Sequence, residues 1–473
     1  MSSTPATLTI DQIIAAALRG EIDEDAAARV FELGREATIA VLLAVVQGKA
    51  KAAGPHTPSG SVPVYQKAAA STRRKKPGAK VGHEGSRRQT PPPTQTVDHA
   101  PLSVCPDCGD PVQPAKRTRV RIIQDITPQT KVETTEHRLP RSWCGTCKKE
   151  VEPKVPDAFP GATLGNRLVV FTVWLHYMLG ITMGHIGEIL GGHLNTTISA
   201  GGLTSAWFRT AAVLEAWYEQ IAEQARQSAV LHADETGWRV NGVTHWLWCF
   251  CNPDSCYYLI DPGRGRDVAQ RFFKEEFQGT LVCDFLAVYD ELDVADFQRC
   301  LAHLLREICD VDDRVQSEGW LAFSKPCKRL IGDGLRLRAL PDFTKEKYES
   351  RITRLNQRLV ELAGAEYADP DATRLAKRLF KHQDSILTFL DTPGVDPTNN
   401  RAERMIRPAV IARKNIQGNR SEQGAATQAV LMSVFRTLKL RGHDPLPTLE
   451  HALRAYNATG TLPPLPARGA ASG

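Results

Sequence analysis

Leu231-His-Ala-Asp-Glu-Thr-Gly-Trp238 opens the stretch that decides the fold. From His232 to Tyr289 the chain breaks into short apolar and aromatic runs separated by turns. That is the texture of β-strands, read here as Val240 to Cys251, Cys256 to Ile260 and Leu281 to Cys283. Asp234 stands at the start of this segment and Asp284 ends the run Leu281-Val-Cys-Asp284, so both are expected at strand edges, where side chains converge at one end of a sheet. The flanks are helical. Residues 160–228 carry helical periodicity; 343–390 are heavily charged, with Ile352, Leu355, Leu359 and Leu362 as the apolar positions; and a last helical stretch runs from Asn400 to Asn415 and on to Leu440. The fold class is multidomain α/β.

The totals bound the rest. A chain of 473 residues exceeds what one hydrophobic core organises, so three or four units are expected. The net charge of +6 is modest over that length, but the positive charge is concentrated. Eleven cysteines is an odd number, and four of them form two CxxC pairs, which argues against a secreted disulfide framework and for a reducing cytoplasm. The longest apolar run, Leu168 to Thr182, is short and contains His176, so no membrane span is expected.

The N-terminal half reads as accessory modules. Residues 1–50 are a helical segment with an apolar stripe at Val30, Leu33, Ala37, Val41 and Ala44. Residues 51–100 form a Pro/Gly-rich linker in which Arg73, Arg74, Lys75, Lys76, Lys80, Arg87 and Arg88 are suited to tracking phosphates by counterion release, though a charge run is often only a solvated segment. In residues 101–152, Cys105-Pro-Asp-Cys108 and Cys144-Gly-Thr-Cys147 bracket a β-rich pattern, Arg119 to Glu133, as in a zinc ribbon. Four thiolates close a tetrahedral Zn2+ site with no position left for water, so this metal is expected to be structural. Between Gly180 and Trp207, Met183 to Leu190, then Gly191-Gly192, then a helix near Leu203 make a candidate helix-turn-helix for DNA, a geometry that packed cores also use.

Glu403 lies in Asn399-Asn-Arg-Ala-Glu-Arg-Met-Ile-Arg-Pro408, on an expected helix whose 100° steps bring Arg407 and Lys414 to the face of Glu403. Taken singly, none of the acids is specific, because an Asp at a strand end is ordinarily a cap or a solvated turn. Taken in order, Asp-Glu-Thr after an apolar start, Asp284 followed by Tyr289, Arg299-Cys-Leu-Ala-His-Leu-Leu-Arg306 and the Asn-Asn-x-Ala-Glu-Arg motif resemble the catalytic core of the insertion sequence 66 family of DDE transposases. Pro-His-Thr-Pro-Ser-Gly, the basic segment Lys76 to His83 and the four-cysteine module extend the likeness over nearly the whole chain. The family has Gly-Tyr after the second acid where Phe285-Leu286 stands here.

That resemblance implies a ribonuclease-H-like catalytic core over 229–420, with a helical insertion at about 340–392, then C-terminal helices and a disordered tail over 421–473. It implies Asp234, Asp284 and Glu403 as ligands of Mg2+ or Mn2+, with Glu235 and Asp290 as the nearest substitutes. It further implies DNA (element ends and target) as partner, a homo-oligomer assembled on DNA, accessory transposition proteins, and a prokaryotic, nucleoid-associated setting. Cys300 and His303 match a Cys-x-x-His feature of such cores, with a packed, hydrogen-bonded histidine as the expected role. A non-catalytic DNA-binding protein and a nuclease on the same fold stay open as alternatives.

Overall fold

The computed structural model describes residues 110–111, 132–140, 142–144, 146, 148–151 and 153–469. The N-terminal helical segment, the basic linker from Arg73 to Arg88, Cys105, Cys108 and Cys147 lie outside the described residues, as does most of the expected hairpin over 119–133. A short antiparallel pair, β1 (Ser142–Cys144) and β2 (Lys149–Val151), flanks the second CxxC, with Cys144 opposite Lys149.

A helical layer follows: α1 (Asn166–Val173), a π-helical turn (Trp174–Met178), α2 (Met183–Leu194) and the long α3 (Ala200–Arg226). Thr182 and Ser199 cap α2 and α3, their hydroxyls accepting from the backbone N–H of His185 and Gly202. The expected turn at Gly191-Gly192 is not there. Both glycines lie inside α2, which ends on Asn195 in the left-handed conformation, φ 48°. Along α3, Leu203, Trp207, Leu214, Trp217 and Ile221 bury one face in the main core, and the opposite face is exposed. The turn of the expected helix-turn-helix is thus corrected from Gly191-Gly192 to residues 195–199, between α2 and α3.

The five-stranded sheet is built from β3 (Val230–Val240), β4 (Val243–Cys251), β5 (Cys256–Asp261), β6 (Phe277–Cys283) and β7 (Val294–Arg299), with α4 (Arg266–Phe273) crossing over between β5 and β6. The order is β5-β4-β3-β6-β7. The first three strands pair antiparallel, and β6 and β7 join parallel to β3 and to each other. The run expected as one strand from Val240 is instead split by Asn241-Gly242, both at positive φ (48° and 77°), a turn whose twist matches the flanking strands.

After the sheet come α5 (Leu301–Asp312), α6 (Glu318–Arg338), α7 (Lys345–Gly364), α8 (Pro370–Lys381) and the single turn α9 (Thr388–Asp391), then α10 (Asn400–Ile416), α11 (Glu422–Leu440) and α12 (Pro445–Thr459). Helices α5 to α9 form a second core around Leu304, Ile308, Trp320, Phe323, Leu359 and Leu375, so the helical insert starts at Leu301 rather than near 340. The expected disordered tail is also corrected as far as residue 469: Pro463 O accepts from Trp217 Nε1 at 2.7 Å and Pro466 O from Arg441 Nη1 at 2.7 Å.

Both edges of the sheet are closed, which removes the unpaired backbone an open edge presents. On β5, the N–H groups of Cys256 and Tyr258 donate to the Thr437 and Ser433 hydroxyls of α11, at 3.1 and 2.8 Å. On β7, Phe297 O accepts from Thr388 Oγ1 at 2.6 Å, while the Gln298 amide bridges Ile386 O and Phe389 N–H at 3.0 and 2.8 Å.

The chain leaving α10 is laced to the end of β3. Asn419 N–H donates to Arg239 O at 2.9 Å and Asn419 O accepts from Asn241 N–H at 2.8 Å. This close approach needs Gly418: its φ is +106°, and a Cβ there would stand 2.2 Å from Arg239 O. Gly418→Ala should therefore lower stability by at least about 2 kcal/mol, read as the denaturant midpoint. A loss below half that would mean the backbone moves aside freely.

The insert meets the sheet at a buried joint. Asp290 accepts from Arg299 at 2.5 Å and from Lys381 at 2.6 Å, and lies 3.8 Å from His382 Nδ1. Burial, reinforced by Arg299, pushes the His382 imidazole down to about 4 from an ordinary 6.5. The ring is thus neutral in the folded chain, whereas the unfolded chain takes up a proton below about 6.5. Stability should fall as pH drops from about 6.5 towards 4, and His382→Gln should flatten that limb by up to about 1.4 kcal/mol per pH unit. Denaturant midpoints across this range check it; an equally steep limb in the variant removes His382 as the source.

Candidate active site

Strand register brings the first two acids together. The β3–β6 pairs run from Val230 with Thr280 to His232 with Val282, in parallel, so two residues further on Asp234 and Asp284 reach the same height on the same side. Asp234 is not at a strand edge, as expected, but inside β3. It is exposed to chemistry because its parallel neighbour β6 stops at Cys283. Asp284, 8 % exposed, is fixed by accepting from Leu286 N–H at 2.8 Å, and Asp234 accepts from Glu235 N–H at 3.0 Å.

Glu403 arrives from the first turn of α10. Burial raises the Asp234 carboxyl well above the carboxylate range, and the charges of Glu235, Asp284 and Glu403 each push it further. The three expected acids are therefore close enough to repel one another. Such a set stays ionised only with positive charge between its members, and its oxygens are the donors that hard divalent cations take. One of these, Glu403 Oε1, is buried without a hydrogen bond. The oxygens are of the kind Mg2+ or Mn2+ takes, but among the described residues the three carboxylates do not come within 4.8 Å of one another as a ligand set, so holding a metal would need them to draw closer.

Asn399 locks the geometry. It is fully buried; its Nδ2 donates to Ala233 O at 2.7 Å, beside Asp234, and its Oδ1 lies 3.2 Å from His232 Nδ1. Its backbone N–H donates to Cys300 Sγ at 3.1 Å, and its carbonyl accepts from Glu403 N–H at 3.1 Å. Cys300 N–H in turn donates to Cys283 O at 2.8 Å, beside Asp284. His232 is buried, which together with Arg401 and Arg404 drives its imidazole down to about 4 against the Asn399 bond, leaving a neutral ring that orients the amide.

The substitutes have other partners. Glu235 meets Arg264 at 2.7 and 3.1 Å and Tyr289 OH at 2.8 Å, while burial and then the charge of Asp284 raise its carboxyl. Asp290 belongs to the Arg299 joint. Arg407 and Lys414 lie exposed on the helix that carries Glu403, with no ion pair among the described residues. His303 is half-buried with Nε2 3.7 Å from Glu403 Oε1, and Arg306 lies 3.9 Å from the same oxygen. Of the metal ligands expected in the four-cysteine module, Cys144 alone falls among the described residues.

The sheet and its acids thus define an α/β protein with a carboxylate cluster where two parallel strands end. The profile of the family described as "Transposase IS66 family" matches residues 161–427, more than half of the 473, and takes in all three acids. The chain belongs to this family. Two curated relatives from Sinorhizobium fredii (strain NBRC 101917 / NGR234) are similar and themselves uncharacterized. Protein y4qI is 24 % identical over 267 residues, 50 % of this chain and 49 % of its own length, and y4jD is 22 % identical over 347 residues, 66 % and 67 %. The chain thus spans about half of the first and about two thirds of the second.

Removing the Asn399 amide should loosen this cluster. Asn399→Ala strands the Ala233 carbonyl and His232 Nδ1 in the core and should cost roughly 2–3 kcal/mol; Asn399→Asp, which turns an oxygen on that carbonyl, should cost more. Urea unfolding of the three proteins decides it, and an aspartate variant as stable as the parent would show the amide is not the clamp.

Proposed function

We propose that this chain is a DNA transposase that cleaves the ends of its insertion sequence and joins them to target DNA, using Asp234, Asp284 and Glu403 on a ribonuclease-H-like core. The convergence of these three acids at one end of the sheet carries the reading. The strand order, three antiparallel strands extended by two parallel ones, supports the core assignment. Bound by the triad, a pair of Mg2+ or Mn2+ ions would supply activation of the attacking oxygen and stabilisation of the leaving oxygen in phosphodiester transfer. The protein's own part is positional. Asp234 and Asp284 are presented side by side from strands, Glu403 faces them from a helix, and Asn399 fixes the distance between the two supports. Arg407 and Lys414 are placed to meet phosphates beside the cluster.

The same reading assigns structural Zn2+ to Cys105, Cys108, Cys144 and Cys147, and non-specific DNA contact to the linker residues Arg73, Arg74, Lys75, Lys76, Lys80, Arg87 and Arg88. Assembly as a homo-oligomer on DNA, with accessory transposition proteins, in a prokaryotic cytoplasm belongs to it as well. Among the described residues, no helix is long and apolar enough to cross a membrane.

Asp284→Asn and Glu403→Gln should each reduce Mg2+-dependent end cleavage and strand transfer by at least about a hundredfold while DNA binding stays within a few-fold, because the lost charge holds cations rather than phosphates. Glu235→Gln should keep cleavage within about tenfold, since its amide can still meet Tyr289. Cleavage and joining assays with matched binding curves test this. Joining of a pre-cleaved end supports the transposase, nicking alone would make the chain a nuclease, and binding alone a DNA-binding regulator.

A further inference from the structure

Cys300, His303 and Glu403 meet where two helices begin. Cys300 immediately precedes α5, His303 lies in its first turn, and Glu403 lies in the first turn of α10. One ligand atom from each, a sulfur, an imidazole nitrogen and a carboxylate oxygen, all fall within 4.8 Å of one another. The Cys300 sulfur is buried, which raises its thiol above the ordinary value, and it receives the Asn399 N–H at 3.1 Å. A cation at this sulfur would displace the thiol proton, because metal ligation takes the thiolate. Glu403 Oε1, buried with no hydrogen bond, is an oxygen that a cation satisfies.

We propose that Cys300, His303 and Glu403 form a second cation site, for a borderline divalent ion such as Zn2+, and that its occupancy withdraws Glu403 from Asp234 and Asp284. The donor set decides the ion. One thiolate, one imidazole and one carboxylate are the ligands that Zn2+ and Co2+ take in tetrahedral sites with a fourth position for water, whereas magnesium avoids sulfur. Glu403 stands between two sets of ligands of different hardness. With the soft set filled, the hard set has lost its third carboxylate, and the chain is switched off by zinc. The site itself rests on geometry; the inhibition rests on the catalytic reading of Asp234, Asp284 and Glu403 proposed above.

The test uses the full chain isolated with zinc, so that its four-cysteine module is filled, and titrated with Co2+ in excess Mg2+. Equilibrium dialysis should find one further equivalent of cobalt, with a near-ultraviolet thiolate-to-cobalt absorption band that added Zn2+ abolishes. Cys300→Ser, which puts a residue favoured at helix N-termini in its place, should lose the band, and His303→Ala should weaken cobalt binding at least about tenfold. Asp234→Asn should keep the band, because Asp234 is not a ligand of this site. Circular dichroism establishes that each variant is folded. Absence of the band in the folded parent, its survival in both Cys300→Ser and His303→Ala, or its loss in Asp234→Asn would each overturn the site. Zinc at the same occupancy should suppress Mg2+-dependent cleavage, and full activity at full occupancy would overturn the inhibition. A chain that shows the band but never cleaves DNA keeps the site and sinks the catalytic reading; one that cleaves without the band does the reverse.

Discussion

One buried carboxamide holds the candidate site together. Asn399 ties the backbone beside Asp234, through Ala233, to the helix turn that carries Glu403, and through Cys300 to the strand end that carries Asp284. The bonds form because of where strands stop. Beyond His232, β3 has no parallel partner, so the carbonyl of Ala233 would be buried and unpaired without the Asn399 amide. The accounting that obliges buried backbone groups to find partners is here the same constraint that sets the spacing of the three acids.

That spacing is costly on its own. Carboxylates this close raise one another, most visibly at Asp234, and a fold that keeps them together must do so with rigid supports elsewhere. The supports are identifiable. Helix α11 fastens the β5 edge with two hydroxyls, the insert fastens β7 through Gln298 and Thr388, and α10 is pinned at its far end by Asn419 and by Arg413, whose guanidinium reaches Gly237 O. Each bond satisfies backbone that would otherwise fray, so the sheet cannot relax by parting its acids.

How much of this was legible follows from the kind of signal each residue gives. Strands β4, β5 and β6 are legible because their apolar runs are local in sequence, and motif order singles out the three acids; β7, Val294–Arg299, gives no such signal and owes its place to pairing with β6. Asn399 stands in the Asn-Asn-x-Ala-Glu-Arg motif but its role is not legible there, since an asparagine ahead of a helix reads as a cap, whereas its side chain makes no cap bond and reaches across to β3. Gly191-Gly192 read as a turn because glycine punctuates helices, yet packing of Leu190 and of α3 carried α2 past both. The Pro/Gly-rich tail read as disordered from composition, which is blind to the tryptophan and arginine donors, far away in sequence, that hold it. Long-range partners, rather than local propensity, account for each of these misreadings.

The pair Phe285-Leu286, which departs from the family's Gly-Tyr, shows how the insert becomes part of the site. Phe285 is buried in the second core, under the Arg378 guanidinium at 5.4 Å and edge-on to His382 at 5.6 Å, while the very next N–H, of Leu286, fixes the Asp284 carboxylate. Arg299 closes the loop. One arm donates to Asp284 O at 3.0 Å and the other to Asp290, which the insert's Lys381 also grips. A glycine at 285 would leave the turn after the second acid to its own conformational freedom; the phenylalanine gives that turn an anchor in the helical core. The helices between the second and third acids therefore serve as more than a spacer, because the backbone that presents Asp284 is held from their side.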